Sequence, residues 1–552
     1  MSFMNRFFTY ILLASIVIAC HIETPQRPVS RFKFTPENGC KAPCTITFIS
    51  ESENGENIWW DFGDGSELKP GDSVSHRFEA AKSYEVKLIV KGVDGGSSGF
   101  TQIVNIEAPS PDAFSISGDQ NFPTDIVADA KGNVYVSGTG SGEINFGIGF
   151  TRTLSNGADD FFVAKYNSEG QCQWVYTGGS SGNDHANALA LDSANHVYLT
   201  GFVGDALLGG STSAKGNLDG FVAMLDANSG APLWFKTFGG PLNDQGRSLA
   251  FYQAAEGPKL YLTGTVEGDG QNQNIEFDNH RKLADERDGF LVIMDVSAAQ
   301  GTFGDPALIT GRNIQAPEAI AVDKSGDAYI TGAFLRTIKF PSTALEGVDS
   351  VDVFVAKWKR AGPTFQWARR AASSGVDFAY DILVDEASEN VYVTGMHSGN
   401  LGELKLNSSD NENVFLANWN ADGEVRNNAR NGFNEKNPDY HGGIALTPNG
   451  EIVIAGSFSD KGWFPMKGNP TLKSKGGTDI IITKVDPESL NPTIDSPISD
   501  GGTDEDRVNK ICTINGYVYA TGWFYESSTF NGVRLTGRNY PMRNTFIARY
   551  RL

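Results

Sequence analysis

Carboxylate and amide side chains recur at two fixed places along the last four fifths of the chain, and their oxygens are the groups there best suited to chemistry. One set is Asn121, Asp184, Asp244, Gln315, Asp377, Asp439 and Asp506; the other is Asp160, Asp219, Asp288, Asp352, Asn413, Asp479 and Asn544. Several oxygens meeting at one point could hold calcium, a hard cation that takes six or more such ligands. Asp184, Asp244, Asp377, Asp439 and Asp506 are the candidates for that role, and calcium is the one cofactor the sequence suggests. One acid per repeat, spread around a ring, rarely supplies six oxygens to one ion. The expectation is therefore that each Asp or Asn accepts backbone N–H bonds within its own tight loop.

Other reactive residues lack context. His21, His76, His185, His196, His280, His397 and His441 show no metal-ligand spacing. Gly178, Ser180 and Gly182 satisfy G-x-S-x-G, but the segment does not lead into a helix as a nucleophile elbow requires. Nucleophile, base and orienting group do not assemble, so no catalytic residue is assigned. Trp174, Trp234 and Trp367 share one register and form either a sugar-stacking series or a packing series between neighbouring units; packing is expected.

The elements that position these residues are strands. VYVSG at Val134–Gly138 returns as VYLTG, LYLTG, AYITG, VYVTG, IVIAG and VYATG, with closing glycines at 138, 201, 264, 332, 395, 456 and 522. Each copy belongs to a unit of about sixty-five residues, a period that points to a propeller or an array. Within a unit the order is an ALALD-like strand A, the VYLTG strand B, a long variable connection, an FFVAKY-like strand C and a QWVYTGG-like strand D. Four half-apolar strands make one propeller blade. The seventh unit stops after its third strand, at Phe546–Leu552, whereas Ala113–Asn121 aligns with strand D. The expectation is an all-β fold with a seven-bladed propeller over 113–552, its last blade completed by the N-terminal segment Phe114–Gly118 so that no open edge remains. Because antiparallel strands alternate direction, the D-to-A and B-to-C connections should leave on one face, so both acidic sets should lie on that face, the inner one near the channel mouth.

The succession of GG, Asp, an AVD-like strand, VYVTG and DxFVAK resembles the SBBP family of bacterial propeller repeats. It weakens in the third unit, where ALITGRN lacks the Trp, and in the sixth, where IVIAG lacks the Tyr. Residues 28–108 are alternating strands sized for one small β-sandwich. Trp60-Asp61-Phe62-Gly63-Asp64-Gly65, with His76 and Tyr84-Glu85-Val86, resembles the PKD family, an immunoglobulin-like fold common in extracellular bacterial proteins. Trp60 and Phe62 are expected to point inward, with Trp59, Asp61 and Asp64 as turn and core residues rather than an exposed sugar platform (Trp59) and a calcium site (Asp61 with Asp64).

At the N-terminus, Arg6, the apolar stretch Phe7–Ile18 and Val17-Ile18-Ala19-Cys20 form an export signal. They resemble the lipobox of bacterial lipoproteins, which implies a signal peptide over 1–19, lipidation at Cys20, a tether over 20–27 and a place at the outer membrane or cell surface. In an exported chain, Cys40 and Cys44 are expected to form a local disulfide, the alternatives being two thiols or a metal pair. Cys172 and Cys512 read as isolated buried thiols.

The formal charge of −21 argues against nucleic acid, because no clustered Lys/Arg surface is present to displace counterions. The function expected is non-catalytic binding or scaffolding of a protein or glycan through the long-loop face of the propeller, with a membrane reached through the lipid. The alternative is a glycan-active or other hydrolytic enzyme with its site at the channel mouth.

Overall fold

The computed structural model describes residues 27–36, 40–42, 44–80, 82–93, 95–106, 112–154, 158–204, 215–297, 300–406, 413–432, 440–462, 472–493, 497–538 and 540–551. Cys20 with the whole export segment, and Asp439, lie outside them. The chain divides into two compact units, Met1–Ser110 and Pro111–Leu552. Among the described residues every regular element is a strand, and no helix is long and apolar enough to cross a membrane.

The first unit is a β-sandwich. One sheet orders Phe32–Thr35, Cys44–Ser50 and Ser73–Phe78; the other orders Lys69–Pro70, Asn57–Asp61, Ser83–Lys91 and Ser97–Asn105. Alternation along Ser83–Lys91 buries Tyr84, Val86, Leu88 and Val90 on one face, as a strand period of two requires. Trp60 and Phe62 are fully buried beside Phe48 and Phe78, each worth roughly 1.5–3 kcal/mol of apolar burial. The turn after them uses Gly63 and Gly65 at φ of 69° and 84°, the left-handed region that favours glycine.

The second unit is a seven-bladed propeller of four-stranded antiparallel blades. Blade 2 shows the plan: strands A to D are His185–Leu191, His196–Val203, Asp219–Asp226 and Pro232–Phe238, paired in that order. Strand A of the other blades is the second half of Ala113–Ala128, then Gln245–Ala254, Gln315–Val322, Asp377–Asp385, Tyr440–Leu446 and Asp506–Ile514. In blade 7 the third strand, Asn544–Arg551, pairs with Ala113–Ile116 through Ile547↔Phe114 and Phe546↔Ser115. One strand, Ala113–Ala128, is thus the outer strand of blade 7 and the inner strand of blade 1.

The repeated motif has a physical basis at each position. The Tyr of strand B is buried and its hydroxyl donates to the Asp that ends strand A: Tyr135 to Asp129, Tyr198 to Asp192, Tyr329 to Asp323. Blade 6 lacks both partners, with Thr447 and Val453 in their places. The motif Thr donates to a strand C carbonyl, as Thr200 does to Phe221 O at 2.6 Å and Thr331 to Phe354 O at 2.8 Å. The closing Gly meets strand A so closely that a Cβ on Gly201 would lie 1.8 Å from His185 O, and one on Gly522 1.9 Å from Arg507 O.

Several B-to-C connections expected as loops carry β-hairpins, and in blades 3 and 4 these are long arms. In blade 3, Gly257–Phe277 and His280–Asp295 stay paired to a turn at Asp278; in blade 4, Ala328–Phe340 and Thr343–Lys359 do the same. Apolar residues such as Ile275, Phe277, Ile338 and Phe340 bury one face of each arm on its blade, which is why the ladder continues.

Candidate functional site

The two acidic sets meet at the blade junctions. Asp184 N donates to Asp159 O at 2.7 Å and Asp244 N to Leu218 O at 2.8 Å, so the start of each strand A lies against the start of the preceding strand C. Asp184, Asp244, Asp377 and Asp506 are fully buried. Asp184 accepts from Ser180 N at 2.6 Å and Gly204 N at 3.0 Å; Asp244 accepts from Gly240 N at 2.7 Å and Glu267 N at 3.1 Å. Asp377 accepts from Ser373 Oγ and Ser398 N, and Asp506 from Gly502 N and Ser528 Oγ. Each carboxylate pins the loop before strand A to the segment after strand B of the same blade. Among the described residues no three His, Cys, Asp or Glu side chains gather as a metal-ligand group.

Asp219, Asp352 and Asp479 of the second set are likewise buried and accept from Lys215 N, Val348 N and Lys475 N at 2.6–2.8 Å. Burial pushes Asp244, Asp377 and Asp506 up to about 7, and the neighbouring Asp219, Asp352 and Asp479 add to the rise.

The D-strand tryptophans are packing residues. Trp174, Trp234 and Trp367 are 6–7 % exposed. Trp174 Nε1 donates to Ala227 O and Trp367 Nε1 to Ala421 O in the next blade, each indole lying on a turn glycine, Gly230 or Gly423. Ser180 of the G-x-S-x-G match is buried with its hydroxyl on Asp184. Cys172 and Cys512 are half-buried thiols rather than fully buried ones; burial pushes Cys172 up to about 12. In the sandwich, Cys40 and Cys44 are bonded as a disulfide with Cα atoms 5.8 Å apart. Asp61 caps Gly63 N, and Asp64 binds Ser66 and, at 2.6 Å, His76.

A different set of residues builds a cavity, and sequence reasoning missed it. Each strand A carries one β-bulge against its strand B, and the extra residue is Thr124, Asn187, Arg247, Glu318, Tyr380, Gly442 or Asn509. A bulge re-aims a side chain out of the alternating pattern. Six of these seven line one cavity of about 430 Å³, with Met396, Arg507, Lys510 and Trp523. That volume lies within the range of small-ligand sites. The lining comes from the first half of strand A and from the ends of strands B, Asn390–His397 and Tyr517–Phe524, so the cavity lies where the B-to-C connections leave the blades. The signal was present in sequence: the bulged residue always stands three places after the first acidic set, and only blades 2 and 7, both with Asn, carry the same type.

The following position carries Asp125, Asp381 and Lys510, of which Asp125 and Lys510 line the cavity. Lys510 Nζ pairs with Asp381 Oδ1 at 2.7 Å. Asp381 also accepts from Ile444 N, and Asp125 from Leu189 N at 2.8 Å, each tying its blade to the next. Burial pushes Asp125 up to about 6, opposed by Lys510, and raises Glu318, opposed by Arg247. Asn187 Nδ2 donates to Gly246 O and Asn509 Nδ2 to Pro123 O, both at 2.7 Å.

The family model of the PKD domain matches residues 26–108. Residues 26–108 are a PKD domain. Such domains are typical of extracellular or surface proteins. This one is similar to the PKD1 domain of Vibrio anguillarum Epp, with 26% identity over 16% of this chain and 100% of that one, at a TM-score of 0.14. Over the propeller the chain is similar to a quinohemoprotein alcohol dehydrogenase from Pseudomonas putida, with 10% identity over 80% of this chain and 76% of that one, TM-score 0.36. It is also similar to a puromycin-hydrolyzing peptidase of Mycobacterium tuberculosis, with 12% identity over 77% of this chain and 53% of that one, TM-score 0.39. Neither likeness carries an argument about activity. No curated protein matches the chain.

Proposed function

We propose that this is an exported, lipid-anchored binding protein of the bacterial envelope, in which the propeller captures a protein or glycan ligand in the cup at its long-loop end. Cys20 carries the lipid, residues 20–27 tether the PKD domain, and the SBBP-like repeat forms the binding body. The reading rests on one observation: a single repeated backbone device delivers six side chains of five chemical types to one cavity, while the strands around it repeat. A residue that recurs in every blade serves the blade; one that varies at a fixed geometry is available to a ligand.

The side-chain roles support binding over catalysis. Both oxygens of Asp125 accept backbone N–H bonds, and Glu318 faces Arg247 rather than a nucleophile. Calcium has no part in this reading, because Asp184, Asp244, Asp377 and Asp506 are engaged by backbone and serine donors of their own blades. The test is a glycan and protein array probed with the soluble fragment beginning after Cys20, in calcium and in chelator. Binding that survives chelator and disappears in the double variant Arg247→Ala/Tyr380→Ala, with melting unchanged, is expected. Turnover of a bound glycan or peptide would instead favour the hydrolytic alternative.

A further inference from the structure

We propose that the cup binds a saccharide bearing a carboxylate, a uronic-acid type of sugar, with Arg247 as the carboxylate fork. This rests on the cup being the ligand site. Arg247 is a bulged residue of blade 3 whose nearest acid, Glu318, stands 3.7 Å away, beyond hydrogen-bond reach. Its Nε lies buried in the cup wall with no hydrogen-bond partner. A buried N–H without an acceptor is costly, and a guanidinium offers two parallel donors matched to a carboxylate. Turning that fork toward a carboxylate in the cup relieves the cost. A lysine could supply the charge but not the paired donors.

The rest of the wall asks for hydroxyl groups. Asn187 and Asn509 each commit the amide nitrogen to the neighbouring blade, which fixes the amide and leaves its carbonyl oxygen to accept. Glu318 adds a further acceptor. These acceptors need donors, and sugar hydroxyls supply several within a small volume. Tyr380, 37 % exposed and stacked on Phe378 at 5.9 Å and 24°, offers an aromatic face for the C–H side of a sugar ring. An apolar ligand would leave these polar groups desolvated and unpaired. The cup holds about 430 Å³, so it takes a terminal or single residue of a glycan.

The experiment is calorimetric titration of the soluble fragment with a glucuronate-terminated disaccharide, its methyl ester and the neutral glucose counterpart, with an N-acetyl amino acid as a sugar-free carboxylate. Binding of the acid is expected, weakened at least about tenfold in the ester, in the neutral sugar and in Arg247→Lys, in line with loss of one charge-assisted pair. Arg247→Lys keeps charge and bulk, and its melting curve guards against misfolding. Equal binding of acid and ester, indifference to Arg247→Lys, equal binding of the N-acetyl amino acid, or no binding of the acid would each overturn the inference. If the array then yields another ligand that Asn187→Ala and Tyr380→Ala abolish, the cup remains the binding site; if its ligand ignores the cup, that reading falls too.

Discussion

Lys510 Nζ of blade 7 lies 2.7 Å from Asp381 Oδ1 of blade 5, a contact that passes over the intervening blade. It is open because blade 6 presents Gly442 and Gly443 at that level; a Cβ on Gly442 would stand 2.3 Å from a Val508 methyl. Blades 5 and 7 are thereby joined without a side chain from the blade between them.

Lys510→Met removes the cation and leaves Asp381 and Asp125 facing each other in a buried setting. The expected loss is about 2 kcal/mol, between the values for exposed and fully buried pairs, because the lysine is partly exposed. Denaturant unfolding of Lys510→Met and of the double variant Lys510→Met/Asp381→Asn checks this: the double variant should recover part of the loss. Equal losses would remove the uncompensated charge as the cause.

The junction acids give the propeller an alkaline weakness. Asp244, Asp377 and Asp506 sit near 7, above the ordinary carboxylate value, so the folded state holds more protons than the unfolded chain. Their stabilising contribution is complete below about pH 4 and disappears as pH rises through about 7. Melting temperature should therefore fall between pH 5 and pH 8. In Asp244→Asn/Asp506→Asn that slope should shrink, whatever the absolute melting point; an unchanged slope would assign the pH dependence elsewhere. Asn121 and Gln315, at the same positions in blades 1 and 4, already carry neutral acceptors.

Deleting Ala113–Gly118 should leave Asn544–Arg551 as an open edge. Unpaired edges recruit other chains, so the expected outcome is oligomerisation and a broadened or lowered melting transition, read by size-exclusion chromatography and calorimetry. A monomeric deletion variant melting like the parent would show that the seam is dispensable.

Cys40 and Cys44 close a short loop at the edge of the sandwich core. Intact mass of the protein purified without reductant should be two hydrogens lighter before reduction than after, and reduction should lower the melting point modestly, since so short a loop restricts the unfolded chain little. No mass change on reduction would leave the pair as thiols.

The blades were legible because their determinants repeat. VYVTG encodes a buried tyrosine tied to the end of strand A, a threonine tied to strand C and a glycine where two backbones meet, so each copy announces the same strand. The seam was legible from Ala113–Asn121 by the same logic. The cup was not, because its members share a backbone geometry and no chemistry: Thr124, Arg247 and Tyr380 have nothing in common as residue types. Nor was the Lys510–Asp381 pair, whose partners belong to different units and meet only because two glycines stand between them.

The seam has a consequence for when the protein can act. The cup combines Thr124 and Asp125 from the start of the ring with Arg507, Lys510 and Trp523 from its last blade, and those ends are held together by the strand shared between them. A chain whose final strand is not yet in place, or one cut near Asn544, owns most of the blades but no closed cup. Under the proposed function, ligand capture would thus be restricted to intact molecules, and a single cut in the final strand would disable binding while leaving most of the blades in place.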